Sequence, residues 1–264
     1  KNIQNADKFI LSFSPDTLYN TYKVGTSGEC RMNSDANVLR KLAWEYANIA
    51  NSEENAEKIK LHKAVNDLKP IRPVVLIDEI PWSEMNIDDE LTLQCVDPFL
   101  REVEWFLRTR IYKNKHMPAD MVCPAFIPIR KIVTSTGIGI AVKEKVLSTD
   151  EANHIVSHEY EDILRTEEDL DRLHNPVLSY DKAETMKQYN LVGEILADVI
   201  PVRLVGRGFF SAGPWDDIAK YRGVTNLLID LMDRPEFMHA TVRKLTDIKL
   251  SELEQLESLG LLDT

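Results

Sequence analysis

The chain is short of cysteine, of positive charge and of long apolar runs, and each shortage removes a class of protein. Its three cysteines, Cys30, Cys95 and Cys123, are far apart and odd in number. They make no disulfide framework and contain no C-x-x-C pair, which points to a reducing, cytoplasmic compartment. Lysine and arginine number 32 against 43 aspartates and glutamates, a net charge of −11. A nucleic-acid partner needs a basic face, so it is excluded as the main partner, although a local basic pocket for a small anion is not. No apolar run approaches the roughly 18 residues of a membrane span. No signal peptide is legible, and Lys at residue 1 leaves an earlier natural start open. Internal repeats and low-complexity segments are absent as well.

What is there is the composition of an ordinary folded protein: 264 residues, 44% hydrophobic and 28% charged, enough for one large domain or two small ones. Residues 1–34 are polar and mixed, with a short apolar run at Phe9-Ile10-Leu11. Gly25-Thr26-Ser27-Gly28 reads as a turn, too isolated to be a phosphate loop and without its lysine. Ser34 or Asp35 is expected to cap a helix whose Val38, Leu42, Tyr46 and Ile49 share one face. A second helix is expected from Ser52, with Glu53 and Glu54 suiting its dipole, ending before Pro70. Residues 1–70 therefore read as an N-terminal arm and helical preamble, and 71–264 as the main domain.

Arg72-Pro73-Val74-Val75-Leu76-Ile77 is a continuous apolar run, the pattern of a strand buried on both faces. It ends in Asp78-Glu79, with Trp82 just beyond. Two neighbouring carboxyls at a strand end are candidates for acid–base work, because close like charges raise one pKa. The plainer reading makes them ion-pair partners of an arginine. Asp97-Pro98 predicts a capped helix to about Tyr112 that buries Phe99, Val103 and Phe106 and leaves Arg101, Arg108 and Arg110 for solvent or partners. Ala119–Ile129 is the next expected strand. Residues 130–165 read as a β-rich insertion, two or three short strands forming a hairpin over the mouth of the fold. His154 and His158 are spaced to chelate on a helix, but on a strand they share a face with Val156 and Tyr160. No third ligand is placed by spacing, so no metal site is assigned, and His158 is carried as a candidate catalytic residue with Asp78 and Glu79.

The chain is organised around residues 201–223. Asp181 caps a helix carrying Tyr189, Val192, Leu196 and Val199, which feeds the strand Pro201–Val205. That strand empties into a loop holding Gly206, Gly208 and Gly213, and then a helix. Such folds place ligands at the carboxyl end of the strand. Arg203 and Arg207 lie there, and a planar guanidinium suits carboxylate or phosphate. Arg203, Arg207, Trp82 and Trp215 are therefore the candidate substrate-binding residues. A short helix over 224–232 and a long one from Pro235 to about Leu259 follow, with Gly260 as the stop.

This stretch resembles the uroporphyrinogen decarboxylase superfamily. The family carries a PLIGF-type strand, a small-residue turn, a PWT-like step, a Tyr and a closing Gly. Pro201–Val205, Ser211-Ala212-Gly213-Pro214-Trp215, Tyr221 and Gly223 stand in that order, followed by Pro235, His239, Leu245 and Gly260. The resemblance extends back to about Arg72 and is greatest to the poorly characterised decarboxylase-like branch. Where the haem-pathway enzymes end their first barrel strand in an Arg-Gln pair, this chain has Asp78 and Glu79, a reversal that would repel a substrate with many carboxylates. Asp120 matches the structural first Asp of the D-A-A-x-x-F-S-D-I pattern. The second, acidic catalytic position has no counterpart among Cys123, Pro124, Ala125, Phe126 and Ile127.

The resemblance implies an α/β fold, the first part of a TIM-type (β/α)8 barrel with N-terminal helices and a β-rich insertion. Residues 73–78, 120–128 and 201–206 would be neighbouring parallel strands, and the chain would be the front of a longer protein. It also implies an enzyme on a small molecule, a corrinoid-linked methyltransferase rather than a haem-pathway decarboxylase. Zinc and a corrinoid protein partner would enter only if a later part of the chain supplied the ligands. A homodimer is compatible. Decarboxylation of uroporphyrinogen, a non-catalytic binding module, and a complete α/β domain of another kind remain the alternatives.

Overall fold

The computed structural model describes residues 28–147 and 156–263. The apolar run at 9–11, the turn residues 25–27 and His154 lie outside them. In chain order the elements are α1 (Gly28–Ala50), α2 (Glu53–Asn66), α3 (Trp82–Met85), α4 (Pro98–His116), β1 (Ile127–Arg130), β2 (Ile132–Ser135), β3 (Glu144–Leu147), β4 (Ser157–Tyr160), α5 (Glu167–Asp171), β5 (Leu178–Asp181), α6 (Lys182–Leu196), β6 (Val202–Val205), α7 (Pro214–Arg222), α8 (Val224–Asp233) and α9 (Pro235–Ser258). The class is α/β. Contacts divide the described residues into two compact units, one of 28–130 with 183–208, the other of 131–147 and 156–182 with 209–263. The expected boundary near residue 70 does not coincide with this division, because α1 packs on α4 and belongs to the first unit's core.

In the first unit β1 and β6 pair in parallel, Ile127 opposite Val202 and Arg130 opposite Val205. Pro128 is tolerated because β1 is paired on one side only, and Ile127 N–H makes the bond to Pro201 O at 2.8 Å. Ile127 and Ile129 face a core of Leu39, Ala43, Tyr46, Leu100, Leu107, Val192 and Leu196. Each such side chain contributes about 1.5–3 kcal/mol by leaving water. The α1 core face is Leu39, Ala43, Tyr46 and Ala50, one step round from the expected Val38, Leu42 and Ile49, which are partly buried at its margin. The helix also starts earlier than expected. Asp35 lies inside α1 as a buried acceptor for the N–H groups of Val96 and Asp97, not as a cap. The cap at Asp97 forms as expected, accepting from Leu100 N, and the second helix, expected from Ser52, is capped by that serine, which accepts from Asn55 N.

Residues 73–78 are not a strand. They run as exposed irregular chain, with Val75 at 55% and Leu76 at 53% exposure. A single carboxylate holds them: Asp120 accepts from Val75 N at 2.9 Å, its own N–H donates to Val75 O at 2.8 Å, and Arg72 grips it with two bonds of 2.6 and 2.7 Å. Of the three expected parallel neighbours, the structure pairs only the later part of the second with the third. Among the described residues the strands form three two-stranded sheets and close no barrel.

The second unit holds two antiparallel pairs, β2 with β5 and β3 with β4. Of the strands expected in the insertion at 132–133, 138–142 and 155–156, the first is present as β2, while 138–142 are irregular and residue 155 lies outside the described residues; β3 and β4 pair at 144–147 and 157–160. Leu164, Leu170 and Leu173 build a core of their own with Ile218, Leu227, Phe237, Met238, Leu245 and Ile248 from α7, α8 and α9. Arg222 ties this unit together, bonded to Asp162 and, at 2.7 Å, to the buried Asp230. No helix among the described residues is long and apolar enough to cross a membrane.

Candidate functional site

Three groups of candidate residues emerge, two in the first unit and one in the second. The first surrounds Lys113, which α4 presents from its last turn. The Lys113 ammonium donates to Ile77 O at 2.9 Å and lies 3.3 Å from Asp78. It also sits 5.8 Å from the centre of the Trp82 ring. Lys113 is 8% exposed, and burial, opposed by Asp78, pulls its pKa below the ordinary lysine range. The Asp78 side chain remains 65% exposed. Trp82 packs edge-on against Trp105 at 5.8 Å and Tyr112 at 6.0 Å, so its indole is first a packing element. Glu79 is exposed, with a backbone φ of +50°, where a side chain costs about 1 kcal/mol relative to glycine.

The second group stands at the carboxyl end of the β1–β6 pair. Arg130 is the last residue of β1, and Arg207 follows the end of β6. Arg130 is exposed at the end of β1; partial loss of water around it, and next the like charge of Arg207, lower its pKa, while Glu102 on α4 opposes them. Two guanidiniums held this way repel each other, and an oxyanion between them relieves the repulsion. Arg203, two positions before the end of β6 and opposite Pro128, lays its guanidinium over the Phe126 ring at 4.7 Å. This stacking holds its orientation. Of the candidates, Asp78 and Trp82 come together around Lys113, while Arg203 and Arg207 share β6 and its exit. Asp78 pairs with Lys113, not with an arginine.

The third group lies in the second unit. His158 on β4 has Nδ1 3.0 Å from Glu144 on β3 and stacks on Tyr160 at 5.9 Å, with the rings 7° from parallel. The strand reading, with His158 and Tyr160 on one face, therefore holds. Trp215, 48% exposed, opens α7.

Lys113, Arg130 and Glu102 were not singled out in the sequence. Arg130 had a legible signal, since it ends an apolar strand as Arg207 follows the end of another. Zinc, which the family resemblance brings in, does not fit the residues at hand. No three His, Cys, Asp or Glu of the described residues cluster to hold a metal. Cys95 and Cys123 are buried, and burial pushes both thiols up, away from the thiolate that a metal needs. Comparison with protein-family models, with curated proteins and with solved structures gives no match for this chain.

Proposed function

We propose that the chain binds a small anionic molecule at the carboxyl end of the β1–β6 pair, as a uroporphyrinogen decarboxylase-like protein of the barrel kind. The observation that carries this reading is the placement of Arg130 and Arg207 as like charges beyond two parallel strands. Arg207 and Arg130 grip the oxyanion, and Arg203, steadied on Phe126, lines the approach. The reading favours methyl transfer on a small molecule, with a corrinoid protein as partner in the cytoplasm, over haem-pathway decarboxylation. Against decarboxylation stands Asp120, consumed by Arg72 and Val75, with no second carboxylate between it and Arg130. Asp78 beside Lys113 is the first residue to test for proton handling. Glu79 and His158 are the other catalytic candidates, and Trp82 and Trp215 the other binding ones.

The test is calorimetric titration of the full chain with succinate and with its uncharged diamide. Succinate is expected to bind and the diamide not, and Arg207→Ala should weaken binding about tenfold, the loss of one charge-assisted bond. Equal affinity for both compounds, or an unchanged Arg207→Ala, would defeat the reading. Conversion of uroporphyrinogen at enzymatic rates would restore the decarboxylase alternative, and binding with no turnover of any methyl donor would favour a non-catalytic module.

A further inference from the structure

Residues 73–78 carry an open backbone edge. No turn or bend interrupts them, so successive residues direct their N–H and C=O groups to opposite sides. Every hydrogen bond made to this backbone falls on an odd-numbered residue. Pro73 O accepts from the Arg72 side chain, Val75 N and O both meet Asp120, and Ile77 O accepts from Lys113. The even-numbered Val74 and Leu76 have no backbone partner among the described residues, and their N–H and C=O groups form the other edge. Val75 and Leu76 are both more than half exposed, so that edge stands in water. Pro73 occupies an odd position, so its missing N–H takes no donor from the open edge. Leu68 and Ile71, both largely exposed, continue the apolar surface just before it.

An unpaired edge is a template for another extended chain. We propose that residues 73–77 are a dimerisation edge, at which two copies of this chain pair as antiparallel strands about Val75. The segment is complementary to itself in that register, as a two-fold contact requires. Val74 of each copy lies opposite Leu76 of the other, and every open N–H of these residues meets an open C=O. Pro73 lies opposite Ile77, apolar against apolar, and Arg72 opposite Asp78. Arg72 keeps both its bonds to Asp120 and is half exposed, so Asp78 meets a cation and not a second Asp78. The paired strands are only about 17 Å long, at about 3.4 Å per residue, which places the contact among weak interfaces below about 1,200 Å². The dimer therefore forms in concentrated solution and dissociates at the low micromolar concentrations of a thermal melt.

Sedimentation of the full chain tests it, with the average mass rising towards that of a dimer between about 10 μM and about 1 mM. Leu76→Pro removes an outward N–H and no existing bond, so it should stay monomeric throughout and melt at the wild-type temperature. Cysteine cross-linking reads the register. Val75 lies opposite itself at a non-hydrogen-bonded position, where Cα atoms are about 4.5 Å apart, within disulfide reach. Leu76 lies opposite Val74, and its own counterpart is beyond the roughly 7 Å that a disulfide spans. With copper phenanthroline and air, Val75→Cys should form a covalent dimer at least about tenfold faster than Leu76→Cys, each measured over wild type. A chain still monomeric at about 1 mM would overturn the proposal and leave the edge to a strand of another protein. So would a dimer that survives Leu76→Pro, or equal cross-linking at 75 and 76. The cross-linking comparison decides the matter even if Leu76→Pro unfolds the chain.

Discussion

Two acids in the first unit hold the chain in place, and two others nearby do not. Glu104 is fully buried and accepts from Gln94 N, Cys95 N and Arg108 Nε at 2.8–2.9 Å. Burial alone would raise its pKa, but these donors outweigh it and hold the group below the usual carboxylate range. Asp120 does the same for residues 72–75, with Arg72 and next the Val75 N–H pulling its pKa well down. Asp78 and Glu79, which end the apolar run those anchors leave exposed, have between them one ionic contact, at 3.3 Å. An acid's neighbours in sequence thus say little about its task. The number of N–H groups aimed at it in the fold separates an anchor from a group free to meet a ligand. Among the cations, Arg40, bonded to Asp198 through both terminal nitrogens at 2.7 Å and to Ile195 O, is an anchor. Arg130 stands near the like charge of Arg207, with Glu102 opposing it.

The contrast is broken most severely by removing the buried anchor. Glu104→Ala strands two backbone donors and Arg108, and should cost about 3–5 kcal/mol in urea unfolding. Asp120→Asn should cost less, roughly 2–3 kcal/mol, since Arg72 is half exposed and regains water. The two variants also carry a pH signature. Both acids have folded pKa values below their ordinary ones, so their stabilisation is present above the ordinary carboxylate range and is lost as the pH falls below it. Wild-type stability should therefore decline on acidification through about pH 4, and the decline should be shallower in Asp120→Asn. A decline of equal slope in both proteins would remove Asp120 as an anchor.

Smaller effects should mark the other side of the comparison. Leu76→Ala should change stability by no more than about 0.5 kcal/mol, against about 2–5 for Leu107→Ala in the core. Similar losses from both would show that residues 73–77 are buried after all. Asp78→Asn should cost under about 1 kcal/mol, as befits an exposed pair. Glu79→Gly should be neutral or slightly stabilising, because glycine accepts the positive φ without strain. Thermal melts resolve all three.

Helices were legible where start signals and periodicity agreed, as at Ser52, Asp97 and Pro235, because those signals are local. The parallel pairing of the strand at 201–205 was legible from its apolar run and its glycine-rich exit. Residues 73–78 misled for a physical reason: an apolar run states that a segment tolerates burial, not that a partner strand reaches it, and the Val75 backbone is met by Asp120, through its carboxylate and its N–H. Lys113 escaped notice because its role depends on Ile77 and Asp78 arriving from 35 and more residues away. The second unit was illegible as a unit, since its core joins Leu164–Leu173 to helices that follow a return of the chain through the first.

The most direct test of the account is a structure determined with saturating succinate. A carboxylate is expected between the guanidiniums of Arg130 and Arg207, beyond the ends of β1 and β6. Succinate held elsewhere, with Arg130 and Arg207 making no contact to it, would rule out the strand-end site.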